Sequence, residues 1–360
     1  MTVDLTTYSQ DGLDIYFQSQ RAELDAQLVS RLVNFINATQ TSLDCAIYDL
    51  RQPDVLNALA GVVQAGKQLR IAYDASGQQS GTGDPAADPK PAGNEKALQS
   101  AGLLNHATPV HNTGRHLMHN KFLVRDGQTV WTGSANFTQG GLVLQDNQCM
   151  IVASPELAAS YSSTFEKLLQ DDHHQQTSSG SEPLLTVSGI TLTPFFTPFT
   201  GEDIENIIVK TLTDAHKVRI MAFVMSDGGI LDALASLASG SNADIKGVYD
   251  PNGMANVQHS AQANPQRFWF LNDSRFVRAP SHPFNPTPGH EQDFMHNKVM
   301  IIDDHLVVTG SYNFSENAEA NDENVLIIDA PAIAAAYTAY FDTLFTKYTH
   351  AVPAGEVSNS

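Results

Sequence analysis

Cysteine is nearly missing from this sequence: Cys45 and Cys149 are the only two among 360 residues. That excludes a disulfide scaffold and a four-thiolate zinc site, and a single potential pair leaves the redox compartment open. Each lies in an apolar run, where a small core residue is expected. Basic residues are also scarce, 20 Lys and Arg against 39 Asp and Glu, for a formal charge of −19. This balance opposes non-specific adhesion to a polyanion such as DNA or an acidic membrane face, while leaving room for a locally basic groove. No run approaches the roughly 18 consecutive apolar residues of a membrane span. The first residues, MTVDLTTYSQDG, lack the basic and apolar regions of a signal peptide. A soluble chain is expected, with cytoplasm and secretion both open.

Apolar residues, by contrast, make up 42% of the chain. They suffice for one large core or two smaller ones, since single cores stop growing at roughly 250–300 residues. An internal repeat argues for two. HNKFLVRD at 119–126 returns as HNKVMIID at 296–303, 177 residues later. Without a gap the match runs over 119–147 against 296–324, with 11 of 29 positions identical. The identities include TGS at 132–134 and 309–311, and Asn136-Phe137 against Asn313-Phe314. Chance similarity between apolar strands would not preserve those polar positions. Further out the offset is 176: IAYD at 71–74 answers KGVYD at 246–250, and Pro155, Tyr161 and Phe165 answer Pro331, Tyr337 and Phe341.

Each half reads in the same order. A strand (DIYFQ; ITLTPFF) leads to an amphipathic helix (21–38; 202–214) and a strand (SLDCAIYDL; KVRIMAFVM). A second helix (54–65; 229–238) precedes a strand ending in Tyr-Asp. Irregular segments (75–118; 251–295), long enough to suggest function or mobility, lead to the HNK strand, a TGS-x-N turn, another strand and a closing helix. This pattern predicts an α/β fold of two pseudo-symmetric lobes, each a mixed sheet flanked by helices, with one active site at their interface. The expected boundaries are 1–170 and 185–352, joined by a polar linker at 171–184 that contains His173 and His174.

On a strand, His119 and Lys121 emerge on one face, as do His296 and Lys298. The Gly-Ser-x-Asn turn adds a glycine for close backbone approach and two hydrogen-bonding side chains, Ser134 and Asn136 or Ser311 and Asn313. An imidazole, an ammonium, a hydroxyl and an amide form a set suited to phosphoryl oxygens. Two such sets suit displacement at phosphorus, with a nucleophile on one side, a proton donor on the other and cations neutralising the equatorial oxygens. On that reading neither a metal nor another cofactor is required.

H-x-K-x-x-x-x-D followed by G-S-x-N, present twice, resembles the phospholipase D superfamily over residues 12–350. The resemblance implies a phosphohistidine intermediate, with His119 as nucleophile and His296 as acid and base. It implies that Lys121, Lys298, Asn136 and Asn313 hold the phosphate with Ser134 and Ser311 in support. Asp146 and Glu323, the acidic residues after each turn, are expected to orient the histidines, with Asp126 and Asp303 fixing structure.

Other polar residues have simpler readings. His106, His111 and His259 are expected to be structural. The spacings of five, five and three from His106 through His111 and His116 to His119 match no metal-ligand face. RFWF at 267–270 reads as a strand near Arg275 and Arg278, and Trp131 as core.

The expected activity is metal-independent phosphodiester hydrolysis. The second repeat resembles the nuclease and cardiolipin-hydrolase branch, which favours a single-stranded nucleic acid held by aromatic stacking and a few arginines. The alternative is a phospholipase D that hydrolyses or transfers the headgroup of phosphatidylcholine or cardiolipin, which the acidic balance opposes less. A catalytically silent two-lobed scaffold is disfavoured by intact motifs in both halves. With both half-sites in one chain, a monomer would suffice for catalysis.

Overall fold

In the computed structural model, residues 5–75, 93–112, 116–170, 184–198, 200–240, 243–281 and 290–350 are described. The expected linker, with His173 and His174, lies outside them except for Leu184.

The first half contributes β1 (Thr7–Gln10), β2 (Leu13–Gln18), α1 (Leu28–Asn37), β3 (Ser42–Ile47), α2 (Pro53–Gln64), β4 (Gln68–Asp74), α3 (Asn94–Ser100), β5 (Ala107–Val110), β6 (Lys121–Arg125), β7 (Thr129–Gly133), β8 (Asn147–Ala153) and α4 (Pro155–Leu169). The second contributes β9 (Leu185–Val187), β10 (Ile190–Phe196), α5 (Gly201–Thr213), β11 (Lys217–Ala222), α6 (Gly228–Gly240), β12 (Asp244–Tyr249), α7 (Gln258–Ala263), β13 (Phe276–Arg278), β14 (Lys298–Ile302), β15 (Leu306–Gly310), α8 (Glu316–Ala320), β16 (Asn324–Asp329) and α9 (Pro331–Thr349).

These strands form two eight-stranded sheets of matching order, β1-β2-β8-β7-β6-β3-β4-β5 and β9-β10-β16-β15-β14-β11-β12-β13. Both are mixed: β3, β4 and β5 run parallel, while β6 is antiparallel to β3, and the second sheet repeats this arrangement. The two-lobed α/β fold is therefore present.

Strand periodicity explains the layering. Along β3, Leu43, Cys45 and Ile47 face an outer core completed by Leu32 and Phe35 of α1 and Val55 and Leu59 of α2, whereas Ala46 faces the other way. The second lobe has its own outer core, with Ile204 and Ile208 of α5 and Leu231 and Leu234 of α6. Between the sheets lies a shared core containing Tyr161 and Phe165 of α4, Tyr337 and Phe341 of α9, and strand residues from both lobes. Pro155 begins α4 and the Ser154 hydroxyl accepts the Leu157 N–H at 3.2 Å, a start signal readable in the sequence. Cys45 and Cys149 are buried free thiols, and Trp131 is fully buried.

Two sequence expectations are corrected. Helix α1 begins at Leu28 and not near residue 21, because Arg21 and Gln27 adopt left-handed backbone (φ 55° and 53°). The RFWF segment is no strand. Trp269–Asn272 form a short 3₁₀ turn that buries Phe268 and Phe270 and packs Trp269 and Phe270 against Phe276.

Paired polar bonds join the lobes. Thr132 Oγ1 donates to Asn324 Oδ1 and Gln148 Nε2 donates to Thr309 Oγ1, both at 2.7 Å. Tyr161 and Tyr337 hydroxyls donate to Asn324 Oδ1 and Gln148 Oε1 at 3.3 and 2.9 Å. Each pair is one interaction repeated from opposite lobes.

Candidate active site

The HNK strands begin at the lobe boundary. The N–H of His119 donates to Asp322 O and the N–H of His296 to Asp146 O, both at 2.9 Å, so each motif is stitched to the opposite lobe. The preceding residues are fixed from within their own lobes. Asp74 Oδ1 accepts the Met118 N–H at 2.9 Å, and Asp250 Oδ2 accepts the Met295 N–H at 3.0 Å. Asp74 and Asp250 are the carboxylates of the repeated Tyr-Asp. Their role was not anticipated, although their recurrence at the ends of matching strands was the available signal.

The histidine side chains also reach across. His119 Nδ1 lies 2.7 Å from Glu323 Oε2, with both groups buried. His296 Nδ1 lies 3.1 Å from Asn147 Oδ1. This arrangement corrects the expectation for Asp146. Its carboxylate accepts the Gln20 N–H at 2.7 Å and the Tyr348 hydroxyl, and it makes no side-chain contact with His296. Burial pushes its pKa up to about 7.

The cause is one extra residue. Gly133 pairs with Cys149 across β7 and β8, and Gly310 with Val325 across β15 and β16, so the offset between halves falls from 177 to 176 within the turn. The first half absorbs the insertion as a π-helical turn at Gly140–Leu144, where the second has α8. Asn147, not Asp146, therefore occupies the place of Glu323. The signal was in the sequence, because the offset of 177 at Asn136 had become 176 by Pro155.

Each lysine folds back on its motif. Lys121 Nζ donates to His119 O at 2.7 Å and Lys298 Nζ to His296 O at 2.9 Å, and both are buried. Lys298 Nζ also lies 3.0 and 2.9 Å from the two ring nitrogens of His296. An aromatic ring backs each pair: Tyr48 sits 4.8 Å from His119 and 4.9 Å from Lys121, and Phe223 sits 4.9 Å from His296 and 5.2 Å from Lys298. These rings were also missed, since an aromatic residue at a strand end reads as core.

The turn serines carry internal bonds. Ser134 Oγ donates to Asn147 Oδ1 at 2.8 Å and accepts the Gln148 N–H at 3.1 Å, while Ser311 Oγ accepts the Asn324 N–H at 3.0 Å. Those hydroxyls brace the residues beside the histidines. The glycine before each serine is required by close approach, because a Cβ there would strike the carbonyl of Gln148 or Asn324. Asn136 and Asn313 differ: among the described residues their side-chain amides have no hydrogen-bond partner, and each Oδ1 is buried. Asp126 accepts the N–H groups of Gln40, Thr41 and Ser42, and Asp303 those of His216 and Lys217, well away from the histidines.

Three arginines are committed to acids. Arg51 pairs with Asp49 and reaches Glu291 across the lobes, and Arg21 pairs with Asp293. Arg275 pairs with Asp273 and stacks on Trp269. No helix among the described residues is long and apolar enough to cross a membrane.

Known proteins place this geometry. Mitochondrial cardiolipin hydrolase of Chlamydomonas reinhardtii is 24% identical over 140 residues, covering 39% of this chain and 56% of that protein. The Xenopus laevis protein of the same description is 32% identical over 87 residues, covering 22% of this chain and 41% of its own. The chain thus spans about half the length of these relatives. Phosphatidylserine synthase of Haemophilus influenzae Rd KW20 shares the fold, with a TM-score of 0.65, 14% identity, and coverage of 93% of this chain and 86% of that one. The family described as cardiolipin synthase, PLD-like domain, matches twice, at residues 32–169 and 208–345. With both halves matched over most of their length, the chain belongs to the phospholipase D superfamily.

Proposed function

We propose that the chain hydrolyses a phosphodiester through a covalent intermediate on His119, with His296 as proton donor and then proton acceptor. The observation that carries this reading is the unlike pairing of the two histidines, His119 with a buried carboxylate and His296 with a neutral amide. In the first step the His119 Nε2 lone pair forms the P–N bond, the P–O bond to the leaving group breaks, and His296 gives its proton to that oxygen. In the second, His296 takes a proton from water, the water oxygen bonds to phosphorus and the P–N bond breaks.

The pairing suits these charges. His119 gains positive charge as it attacks, and Glu323 stabilises that charge through Nδ1–H. His296 loses positive charge as it donates, and a carboxylate beside it would hold the proton back. Interactions that strengthen only as the transition state forms are the ones that accelerate the step. Lys121, Lys298 and the unpartnered amides of Asn136 and Asn313 would receive the phosphoryl oxygens, so the charge stabilisation requires no metal. All these groups belong to one chain, and one chain would suffice.

For the substrate, a phospholipid headgroup diester is the better fit. The chain carries −19, and Arg21, Arg51 and Arg275 are already paired with acids, which weakens the cationic track a nucleic-acid backbone would need. The names of the matched relatives point the same way. Single-stranded nucleic acid is the second reading, on the likeness of the repeated motif to the nuclease branch. Side-by-side turnover of cardiolipin, phosphatidylcholine, single-stranded DNA and RNA decides between them. Cleavage of nucleic acid alone would overturn the lipid assignment, and the absence of any turnover that depends on His119 and His296 would overturn the whole reading.

A further inference from the structure

The second lobe carries three carboxylates behind its Gly310–Asn313 turn. Glu205 on α5, Asp227 at the start of α6 and Glu319 on α8 each place a carboxylate oxygen within 4.8 Å of the others. Like charges so close are unfavourable by themselves. Burial, then a hydrogen bond to Asp227 and the charges of Asp227, Glu205 and Glu316, push Glu319 up to about 8.

Two further observations separate this group from a solvated acidic patch. Asp227 is fully buried, and its Oδ1 caps α6 by accepting the Ile230 N–H at 2.9 Å. Tyr312, in the turn itself, is 2% exposed and its hydroxyl lacks a partner. Burial raises the pKa of that hydroxyl strongly, and Asp227, Glu319, Glu323 and Glu205 raise it further, so it lies within the field of the same acids. A buried unpaired polar atom costs on the order of 1–3 kcal/mol. The Tyr312 hydroxyl, unpaired beside three carboxylates, indicates a ligand that compensates it.

The first lobe serves as an internal control. Gln52 and Asp227 are equivalent, since their N–H groups donate to Phe137 O and Phe314 O at 2.8 and 2.9 Å. The residue matching Tyr312 is Ala135. The same turn is therefore built there from neutral residues, and the acids are not a requirement of the fold.

We propose that Glu205, Asp227 and Glu319 bind a divalent cation of the calcium class, beside the Tyr312 hydroxyl and behind the turn that carries Asn313. The donors are all hard oxygens. Calcium takes such oxygen donors in flexible geometry at roughly 2.3–2.6 Å, whereas magnesium demands a near-ideal octahedron at about 2.0–2.1 Å. The ion neutralises the cluster and ties α5, the start of α6 and α8 around the turn. It braces the site and takes no part in chemistry at phosphorus.

The test is calcium titration of chelator-treated full-length protein, followed by calorimetry and thermal unfolding. The expected result is saturable binding and a midpoint raised by a few degrees, with a weaker response to magnesium. Asp227→Asn, which keeps the helix cap, and Glu319→Gln, at a half-buried position, should both lose the response. Should Asp227→Asn fail to fold, Glu319→Gln carries the comparison alone. Insensitivity of the wild type to calcium overturns the proposal, as does an undiminished response in every variant that folds. A midpoint that responds to pH near 8 but not to calcium means that the carboxylates share a proton instead, which also overturns it.

Discussion

Glu323 holds Nδ1 of His119 at 2.7 Å, from the opposite lobe. The matching place beside His296 is taken by Asn147, so the pseudo-symmetric site is chemically unsymmetrical beside its two histidines.

Asn147→Asp would give His296 the carboxylate it lacks. The new charge favours the imidazolium and raises its pKa. The alkaline limb of the kcat/KM profile should therefore move to higher pH. Glu323→Gln should instead lower kcat, by about 10- to 100-fold for the loss of a buried charged partner. An unmoved alkaline limb in Asn147→Asp would mean that His296 is not the acid.

His296→Ala tested on a diester with an activated leaving group should accumulate a covalent phosphohistidine, because departure no longer needs a proton while water still lacks its base. Intact mass measurement after alkaline quench should find the adduct in His296→Ala and not in His119→Ala. An adduct on His296 in the His119→Ala protein would reverse the assignment.

Stability should fall as pH rises from about 4 to 7. Asp146 and Asp250 are buried carboxylates whose folded-state pKa values are raised from 3.8 to about 7, chiefly by desolvation. Below the unfolded value both are protonated in either state and the penalty is absent. It develops through the window and is constant above it. Asp146→Asn keeps an acceptor for the Gln20 N–H and removes the charge. Its stability relative to wild type should rise across the same window, by a few kcal/mol at most. Denaturant unfolding at pH 5 and pH 8 checks this, and a difference independent of pH contradicts it.

Gly310→Ala should cost about 2 kcal/mol or more, because the new Cβ meets the Asn324 carbonyl and β16 must shift. As Asn324 follows Glu323, activity should fall further than the lost stability explains. Thermal unfolding and kcat measured on the same preparation would show whether the two losses separate.

Much of the fold was legible because the chain states it twice. Strands such as SLDCAIYDL and KVRIMAFVM, and the helices after them, could be placed by comparing halves, and the HNK motifs singled out both histidines and lysines. Asn147 was hidden because its neighbour Asp146 has the expected chemistry, and a single inserted residue exchanges which of them faces the site. The cross-lobe direction of each contact was also unreadable, since strand alternation specifies a face but not what lies opposite. RFWF and the start of α1 were misplaced for a local reason: backbone at Arg21 and Gln27, and crowded aromatics, overrode the apolar pattern.

Joining the two half-sites in one chain also has an evolutionary consequence. Were the same site built from two identical subunits, any substitution would appear on both sides at once, and Glu323 could not stay acidic while its counterpart became an amide. Covalent linkage lets each copy vary on its own, so the surroundings of the two histidines can diverge while the fold around them stays paired.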